Sequence, residues 1–82
     1  MAGDTRAAVA QAAVLAVGFR ALDPRPLAAA QAAWTDPSAQ RLDELVAALW
    51  VIVEDPRARA EEIVETWHCM RGIHLARGRH GD

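Results

Sequence analysis

Apolar residues recur at helical spacing along most of the chain, and the strongest such segment runs from Leu42 to Val53. Between Ala47 and Val53 seven apolar residues follow one another without interruption. In a helix this segment has one broad apolar face, from which Asp43 and Glu44 point away. Its second half is apolar nearly all round, which is typical of a helix buried in a bundle or shared with a second chain. The broad face comprises Leu42, Leu45, Val46, Leu49, Ile52 and Val53.

Three Asp-Pro pairs, beginning at residues 23, 36 and 55, divide the chain into segments. Proline lacks a backbone N–H and has a preset φ angle, so it suits the first turn of a helix, and the preceding Asp caps the free N–H groups. Residues before proline also resist the helical conformation, so each pair closes one helix and opens the next. We therefore predict an all-α fold, a small four-helix bundle with short Asp-Pro-capped connections. The predicted helices cover about residues 5–22, 25–34, 37–54 and 57–76 of a single domain spanning 1–82, with 1–4 and 78–82 as frayed tails.

The run Trp50–Val53 leaves one local alternative open, because its β-branched residues also suit a short strand. No turn signal separates the run from the preceding helix, so we predict that it is helical. Each of the last three predicted helices contains one tryptophan, and we expect Trp34, Trp50 and Trp67 to anchor an alanine-rich core. The last helix is expected to carry its apolar residues on one face and its glutamates on the other. That apolar face comprises Ala60, Ile63, Val64, Trp67, His74 and Leu75.

Two predicted helices carry apolar residues on both sides, which favours association with another chain. The side of the third helix opposite its broad face bears Ala47, Ala48 and Val51 within a rim of polar residues. The first helix carries Leu15 and Phe19 on one side and valines on the other. Four short helices have too few neighbours to bury both sides of two helices, so the sequence predicts a homo-oligomer, most simply a dimer. The expected interface residues are Leu15, Phe19, Ala47, Ala48, Trp50 and Val51.

The composition is that of a globular domain rather than a disordered chain, since 52% of the 82 residues are hydrophobic and the net charge is -2. This mild acidity offers no general attraction to nucleic acid or to an anionic membrane surface. The largely apolar run at residues 7–19 is shorter than the about 20 residues that span a bilayer. We therefore expect no membrane partner.

Cysteine and lysine usage bear on the cellular setting. The lone Cys69 cannot form an intrachain disulfide, which favours a reducing, cytoplasmic location. All nine basic residues are arginine, and Lys, Asn and Tyr are absent. Because the codons of those three residues are AT-rich, this bias indicates a GC-rich genome, such as that of a high-GC bacterium, rather than a phosphate-binding role.

One pair of residues, Glu65 and His68, has the Glu-x-x-His spacing that di-iron carboxylate bundles use on their helices. Glu61 lies one turn earlier on the same edge of the predicted helix. A complete site needs a second Glu-x-x-His step and further carboxylates, which a symmetric dimer of this chain would have to supply. The neighbouring Cys69 falls on a different side of the helix from His74, so we expect no metal and no other cofactor.

The stretch from residue 27 to residue 49 supports a different hypothesis, a helix-turn-helix. Its segment Trp34–Ala39, followed by Arg41-Leu42, resembles the turn and the start of the recognition helix in MarR-type winged-helix repressors. The segment Val53–Arg57 resembles their wing. These resemblances cover about a third of the chain, require one-residue gaps and imply a DNA-binding regulator.

In that regulator Gln40 and Arg41 would contact the DNA, because amide and guanidinium groups read base edges. Asp43 and Glu44 share the same polar face, however, and carboxylates facing phosphate are repulsive. No β-hairpin is predicted after the helix either. The resemblance and the chemistry of these residues therefore disagree.

The sequence as a whole predicts a small cytoplasmic helical module for oligomerisation or protein–protein interaction, an accessory or regulatory subunit. No grouping of residues suited to nucleophilic catalysis is apparent, so we do not predict enzymatic activity. A MarR-like DNA-binding regulator is the second hypothesis, and a metal-binding bundle using Glu65 and His68 is the third.

Overall fold

The computed structural model describes the backbone of residues 2–81 and the side chains of residues 4–77. Within that range the chain forms α-helices and no β-strand, so the predicted all-α four-helix bundle is confirmed. The run Trp50–Val53 is helical, as predicted. The helices are α1 (Ala2–Phe19), α2 (Arg25–Thr35), α3 (Ala39–Glu54) and α4 (Ala60–Gly81).

The helices form an antiparallel bundle in which each one packs against two others, in the cyclic order α1, α2, α3, α4. Contacts between remote residues show the direction of each pair. Arg6 near the start of α1 lies over the ring of Trp34 near the end of α2, at 5.0 Å from its centroid. A Cβ atom placed on Gly72 in the second half of α4 would lie 3.7 Å from the Cβ of Ala8 in α1. Short connections make this up-and-down arrangement the expected one.

The core combines small residues from one helix with large residues from another. The buried face of α1 is half alanine, which lets its backbone approach the neighbouring helices closely. The buried face of α3 consists of leucine and isoleucine, which supply the volume that α1 lacks. The buried residues include Val9, Ala12, Ala16 and Phe19 in α1 and Leu42, Leu45, Leu49 and Ile52 in α3, which follow the same helical spacing.

The expectation that the tryptophans anchor this core is wrong. Trp34, Trp50 and Trp67 remain 46%, 40% and 48% exposed. Trp34 lies under Arg6 of α1, and Trp50 of α3 contacts Trp67 of α4, so each ring lies at the boundary between two helices. The core is instead filled by its aliphatic residues and by the single phenylalanine, and its largest fully buried side chains include Phe19, Leu45, Leu49, Ile52 and Ile73.

The α1–α2 and α3–α4 turns lie at the same end of the bundle and share the sequence Asp-Pro-Arg. Asp23 accepts the backbone N–H of Arg25 at 3.0 Å, and its carboxylate pairs with that guanidinium at 2.6 Å. Asp55 holds Arg57 in the same way, accepting its backbone N–H at 2.8 Å and pairing with its guanidinium at 2.8 Å. We call each of these Asp–Arg arrangements a clasp. The Asp23 clasp holds the first residue of α2. The Asp55 clasp caps no helix, because α4 begins at Ala60, three residues later than predicted.

The Asp-Pro pair at Asp36 does not cap a helix either. Asp36 ends α2, and its backbone N–H donates to the carbonyl oxygen of Ala32 at 2.9 Å. The N-cap of α3 is Ser38, whose hydroxyl accepts the backbone N–H of Arg41 at 3.3 Å. Helix α3 therefore begins at Ala39, two residues later than predicted.

The two ends of the chain differ from the predicted boundaries, since α1 begins at Ala2 and α4 continues to Gly81. Of the tails expected to fray, 1–4 and 78–82, all residues except Asp4 lie outside the described side chains, and Met1 and Asp82 lie outside the described backbone. None of the described helices combines the length and the hydropathy needed to cross a membrane.

Candidate interaction surface

Helix α4 carries apolar residues on two sides, and the bundle buries one of them. Cys69, Met70 and Ile73 point inward and are almost wholly buried. The opposite side is the face that the sequence predicts as the apolar one, and it is turned outward. On it, Val64 and Leu75 are each 54% exposed. The outward side of α4 therefore carries a row of large apolar residues as well as glutamates.

Two tryptophans from adjacent helices meet on this outward side. The rings of Trp50 in α3 and Trp67 in α4 have centroids 4.9 Å apart and planes at 83°. This edge-to-face arrangement places the positive edge of one ring against the negative face of the other, which is favourable. The contact still leaves much of both rings in water. We call the surface formed by Trp50, Val64, Trp67, Arg71, His74 and Leu75 the aromatic face.

The aromatic face contains a groove of about 350 Å³ beside the tryptophan pair. Its walls are mainly apolar, and Arg71 and His74 contribute polar groups at the rim. Ala47, one turn before Trp50 on α3, is also exposed and has only a small side chain. A partially open, apolar groove next to exposed aromatic rings is the kind of site in which an anchoring side chain of a partner is buried.

Charge varies along the aromatic face from one end to the other. At the turn end, where α3 stops and α4 starts, the exposed Glu54 and Glu61 border this face, four residues after Trp50 and three residues before Val64. Further along α4, Arg71 lines the groove, and the Arg77 guanidinium pairs with Asp43 of α3. No ion pair forms at Glu54, Glu61 or Arg71 among the described residues. Negative charge therefore remains at the turn end, Arg71 adds one positive charge beyond Trp67, and the Arg77–Asp43 pair is neutral.

The structure divides the predicted interface residues among different places. Trp50 and Ala47 belong to the aromatic face or border it. Phe19 is fully buried in the core and offers no surface to a partner, because its direction on α1 is that of Ala12 and Ala16.

The other three predicted interface residues are half-buried. Leu15 packs against the core and lines a groove between α1 and α4. Ala48 lies on the side of α3 away from Trp50. Val51 lies beside the Asp-Pro-Arg turns. None of these three belongs to the aromatic face.

Sequence reasoning missed Val64, Trp67 and Leu75 as surface residues. The sequence nevertheless contains a pattern that includes them: with Arg71 they follow one another at steps of three and four residues. Such spacing is typical of a helix seam that packs against another helix. The same spacing describes a core-facing seam, so the sequence alone did not distinguish the two.

A second exposed apolar surface lies on α1. Val14 is 76% exposed and Val17 is 48% exposed, whereas the leucine and phenylalanine on the other side of this helix are partly or wholly covered. The exposed strip consists of alanine and valine side chains. Truncation of such side chains seldom has a large effect on binding, so we regard the aromatic face as the stronger candidate.

The residues considered for metal binding lie near the α1–α4 groove but do not converge. Glu65 and His68 line this groove of about 630 Å³ together with Gln11 and Val14. Glu61 is exposed and does not line it. Among residues with described side chains, no group of three His, Cys, Asp or Glu residues is placed to hold a metal ion.

Cys69 also lines the α1–α4 groove, yet the residue as a whole is only 3% exposed. Burial, and to a smaller extent the negative charge of Glu65, raise the pKa of the Cys69 thiol above its ordinary value of 9.0. A thiol with a raised pKa is a poor nucleophile and a poor metal ligand at neutral pH. Cys69 therefore behaves as a small core residue.

The residues considered for DNA contact are engaged within the chain. Arg41 donates a hydrogen bond to the carboxylate of Glu44 at 2.9 Å, and the Gln40 amide donates to the same group at 3.4 Å. These bonds lower the pKa of Glu44, the Arg41 bond being the larger cause. A base edge would have to compete with a carboxylate for both side chains.

The helix pair that contains Gln40 and Arg41 also differs from a helix-turn-helix. Helices of that motif cross at about 90–120°. Here the first residue of α2, Arg25, shares a groove with Glu54 at the end of α3, so the two helices run alongside each other in opposite directions. The segment expected to resemble a wing, Val53–Arg57, forms the end of α3 and the following turn.

Comparisons with known proteins identify no relative of this chain. No protein-family model matches this chain, and no curated protein or solved structure shows significant similarity to it.

Proposed function

We propose that this chain is a small helical protein–protein interaction module that associates with itself through the aromatic face, most simply as a dimer. It acts as an accessory or regulatory subunit without catalytic machinery of its own. The observation that supports the proposal is the exposed contact between Trp50 and Trp67. Tryptophan is enriched at the centres of protein interfaces, where its large ring is buried on binding.

The energetic reason is the apolar area that the aromatic face leaves in water. Burial of apolar surface yields about 25 cal/mol per Å². Val64 and Leu75 flank the tryptophan pair along α4, so one partner surface covers all four side chains at once. A chain of this length buries a modest share of its own surface, which makes additional burial in a dimer valuable for its stability.

This function is preferred to DNA binding because Gln40 and Arg41 are bound to Glu44 and because α2 and α3 are antiparallel. It is preferred to metal binding because Glu65 and His68 have no third ligand among the described side chains. The buried Cys69 is compatible with a reducing compartment, and we place the module in the cytoplasm.

Light scattering coupled to gel filtration tests this function directly. We expect the mass of a dimer for the unaltered chain at micromolar concentrations and the mass of a monomer for Trp67→Ala. The helical signal in circular dichroism should be the same for both, because Trp67 contributes little to the core. The matched control is Trp34→Ala, which removes an equally exposed ring from α2, where it lies under Arg6.

The Trp34→Ala variant should keep the mass of the dimer. A monomeric mass for the unaltered chain at these concentrations would refute the proposed self-association. Dissociation by Trp34→Ala but not by Trp67→Ala would refute the assignment of the interface to the aromatic face.

A further inference from the structure

The self-association proposed above can bring two copies together in different orientations, and the charges of the aromatic face discriminate between them. We infer that the copies meet end over end, with α4 of one copy antiparallel to α4 of the other and with Arg71 of each copy over Trp67 of its partner. This inference rests on the proposed function, because it specifies the geometry of the same interface.

Two copies joined through one face are related by a two-fold axis that lies in the plane of the interface. If the axis runs parallel to the helices, the turn ends of both copies lie together. Glu54 and Glu61 of one copy then face the same two carboxylates of the other, which is repulsive. If the axis is perpendicular to the helices, the turn end of each copy faces the opposite end of its partner.

The perpendicular axis removes this repulsion. Glu54 and Glu61 of one copy then lie near the end of the partner at which Arg77 is ion-paired with Asp43, far from the partner's own unpaired carboxylates. Electrostatics of this kind set the orientation and register of an interface more than its total affinity. The position of these carboxylates therefore favours the end-over-end dimer.

The apolar residues of α4 are arranged symmetrically about a point that suits this axis. Val64 and Leu75, which are equally exposed, lie at the two ends of the row. The midpoint between them falls at Cys69-Met70, with Trp67 on one side and Arg71 on the other. Rotation about an axis at this midpoint brings Val64 of each copy to Leu75 of its partner, and Trp67 to within one residue of Arg71.

Arg71 suits such a contact because it has a planar guanidinium and forms no ion pair among the described residues. A guanidinium over the face of a tryptophan gains a cation–π interaction, which strengthens when water is excluded. The chain already contains one example, in which the Arg6 guanidinium lies 5.0 Å from the ring centroid of Trp34. The two-fold axis would create two further contacts of this type.

Disulfide trapping tests the orientation. Two single variants, Val64→Cys and Leu75→Cys, are prepared in a Cys69→Ala background, and one of them carries a mass tag. After mixing and mild oxidation, we expect the mixed disulfide to exceed both symmetric disulfides by about tenfold, because Val64 lies opposite Leu75 of the partner in this dimer. Circular dichroism of each variant confirms that it is folded.

Charge reversal supplies a second measurement. Arg71→Glu should raise the dissociation constant of the dimer about tenfold or more, because it removes both cation–π contacts and places new negative charge at the interface. The matched control is Arg20→Glu, the same change at an exposed position just after α1, which should leave the constant unchanged.

The two measurements separate failure of the orientation from failure of the proposed function. A dimer that forms symmetric Val64→Cys disulfides, or no disulfide with Leu75→Cys, overturns the end-over-end arrangement while the module still self-associates. If the Arg71→Glu variant dimerises with an unchanged dissociation constant, the end-over-end arrangement is also overturned. A monomeric unaltered chain refutes the proposed function itself.

Discussion

Arg57 connects the two turns at one end of the bundle, because its guanidinium Nη2 donates a hydrogen bond to the backbone carbonyl oxygen of Leu22 at 3.3 Å. These residues are separated by 35 positions in the chain. The same guanidinium pairs with Asp55 at 2.8 Å, so one side chain links the α3–α4 turn to the α1–α2 turn. Arg25 occupies the matching position in the other Asp-Pro-Arg sequence, and its guanidinium bonds are to Asp23.

This difference between two otherwise matched arginines leads to a first prediction. Arg57→Ala should lower the thermal unfolding midpoint more than Arg25→Ala, because it removes the link between the turns as well as a local clasp. It also removes positive charge from between Asp23 and Asp55, whose carboxylates repel each other. Thermal unfolding followed by circular dichroism compares the two variants. Equal midpoints would show that the bond to Leu22 contributes nothing measurable.

The clasps predict a dependence of stability on pH. The Arg25 side chain, by hydrogen bonding, lowers the pKa of Asp23 from 3.8 to about 2, and Arg57 lowers that of Asp55 in the same way. A lowered pKa means that the folded state prefers the charged carboxylate. The stability gained is fully present above the ordinary pKa of 3.8 and is lost as the pH falls from there toward about 2.

Urea unfolding at a series of pH values measures this effect. We expect the midpoint of the unaltered chain to fall over that acidic interval, and the fall to be smaller for Asp23→Asn. Asp36→Asn is the matched control, since this Asp also precedes a proline but is exposed and lies 4.0 Å from its arginine partner. If the urea midpoint of Asp23→Asn fell with pH as much as that of the unaltered chain, the pH dependence could not be assigned to the Asp23 clasp.

The core predicts a large effect for one leucine. Leu49 is fully buried on α3, so Leu49→Ala should destabilise the fold by about 2–5 kcal/mol through lost apolar burial and the cavity that remains. Val14→Ala removes methyl groups from a side chain that is 76% exposed, and its effect should stay within about 0.5 kcal/mol. Urea unfolding at neutral pH gives both values. A change below about 1 kcal/mol for Leu49→Ala would mean that the core around α3 is loosely packed.

Some of the structure followed from the sequence alone. The periodicity of apolar residues predicted helices throughout, and the prolines separated them, because both depend on local backbone geometry. The buried face of α3 was also predicted, since Leu42, Leu45 and Leu49 lie on the one side of that helix with large aliphatic residues throughout. The Asp-Pro pairs marked the turns, but the prediction that each would cap the next helix was wrong at Asp36, where Ser38 is the cap of α3, and at Asp55, since α4 begins only at Ala60.

Tertiary packing alone decided which side of the other helices faces the core. On α4 the row containing Val64, Trp67 and Leu75 is as apolar as the row containing Met70 and Ile73, and periodicity cannot rank them. The neighbouring helices decide, because an inward residue must fit the space that the partners' side chains leave. Similarly, Phe19 became a core residue because the alanines beside it allow α1 to pack closely. The sequence therefore determined the helices and their order. The rotation of α1 and α4 depended on how volumes fit across the bundle, and the rotation of α4 placed Trp67 at the surface.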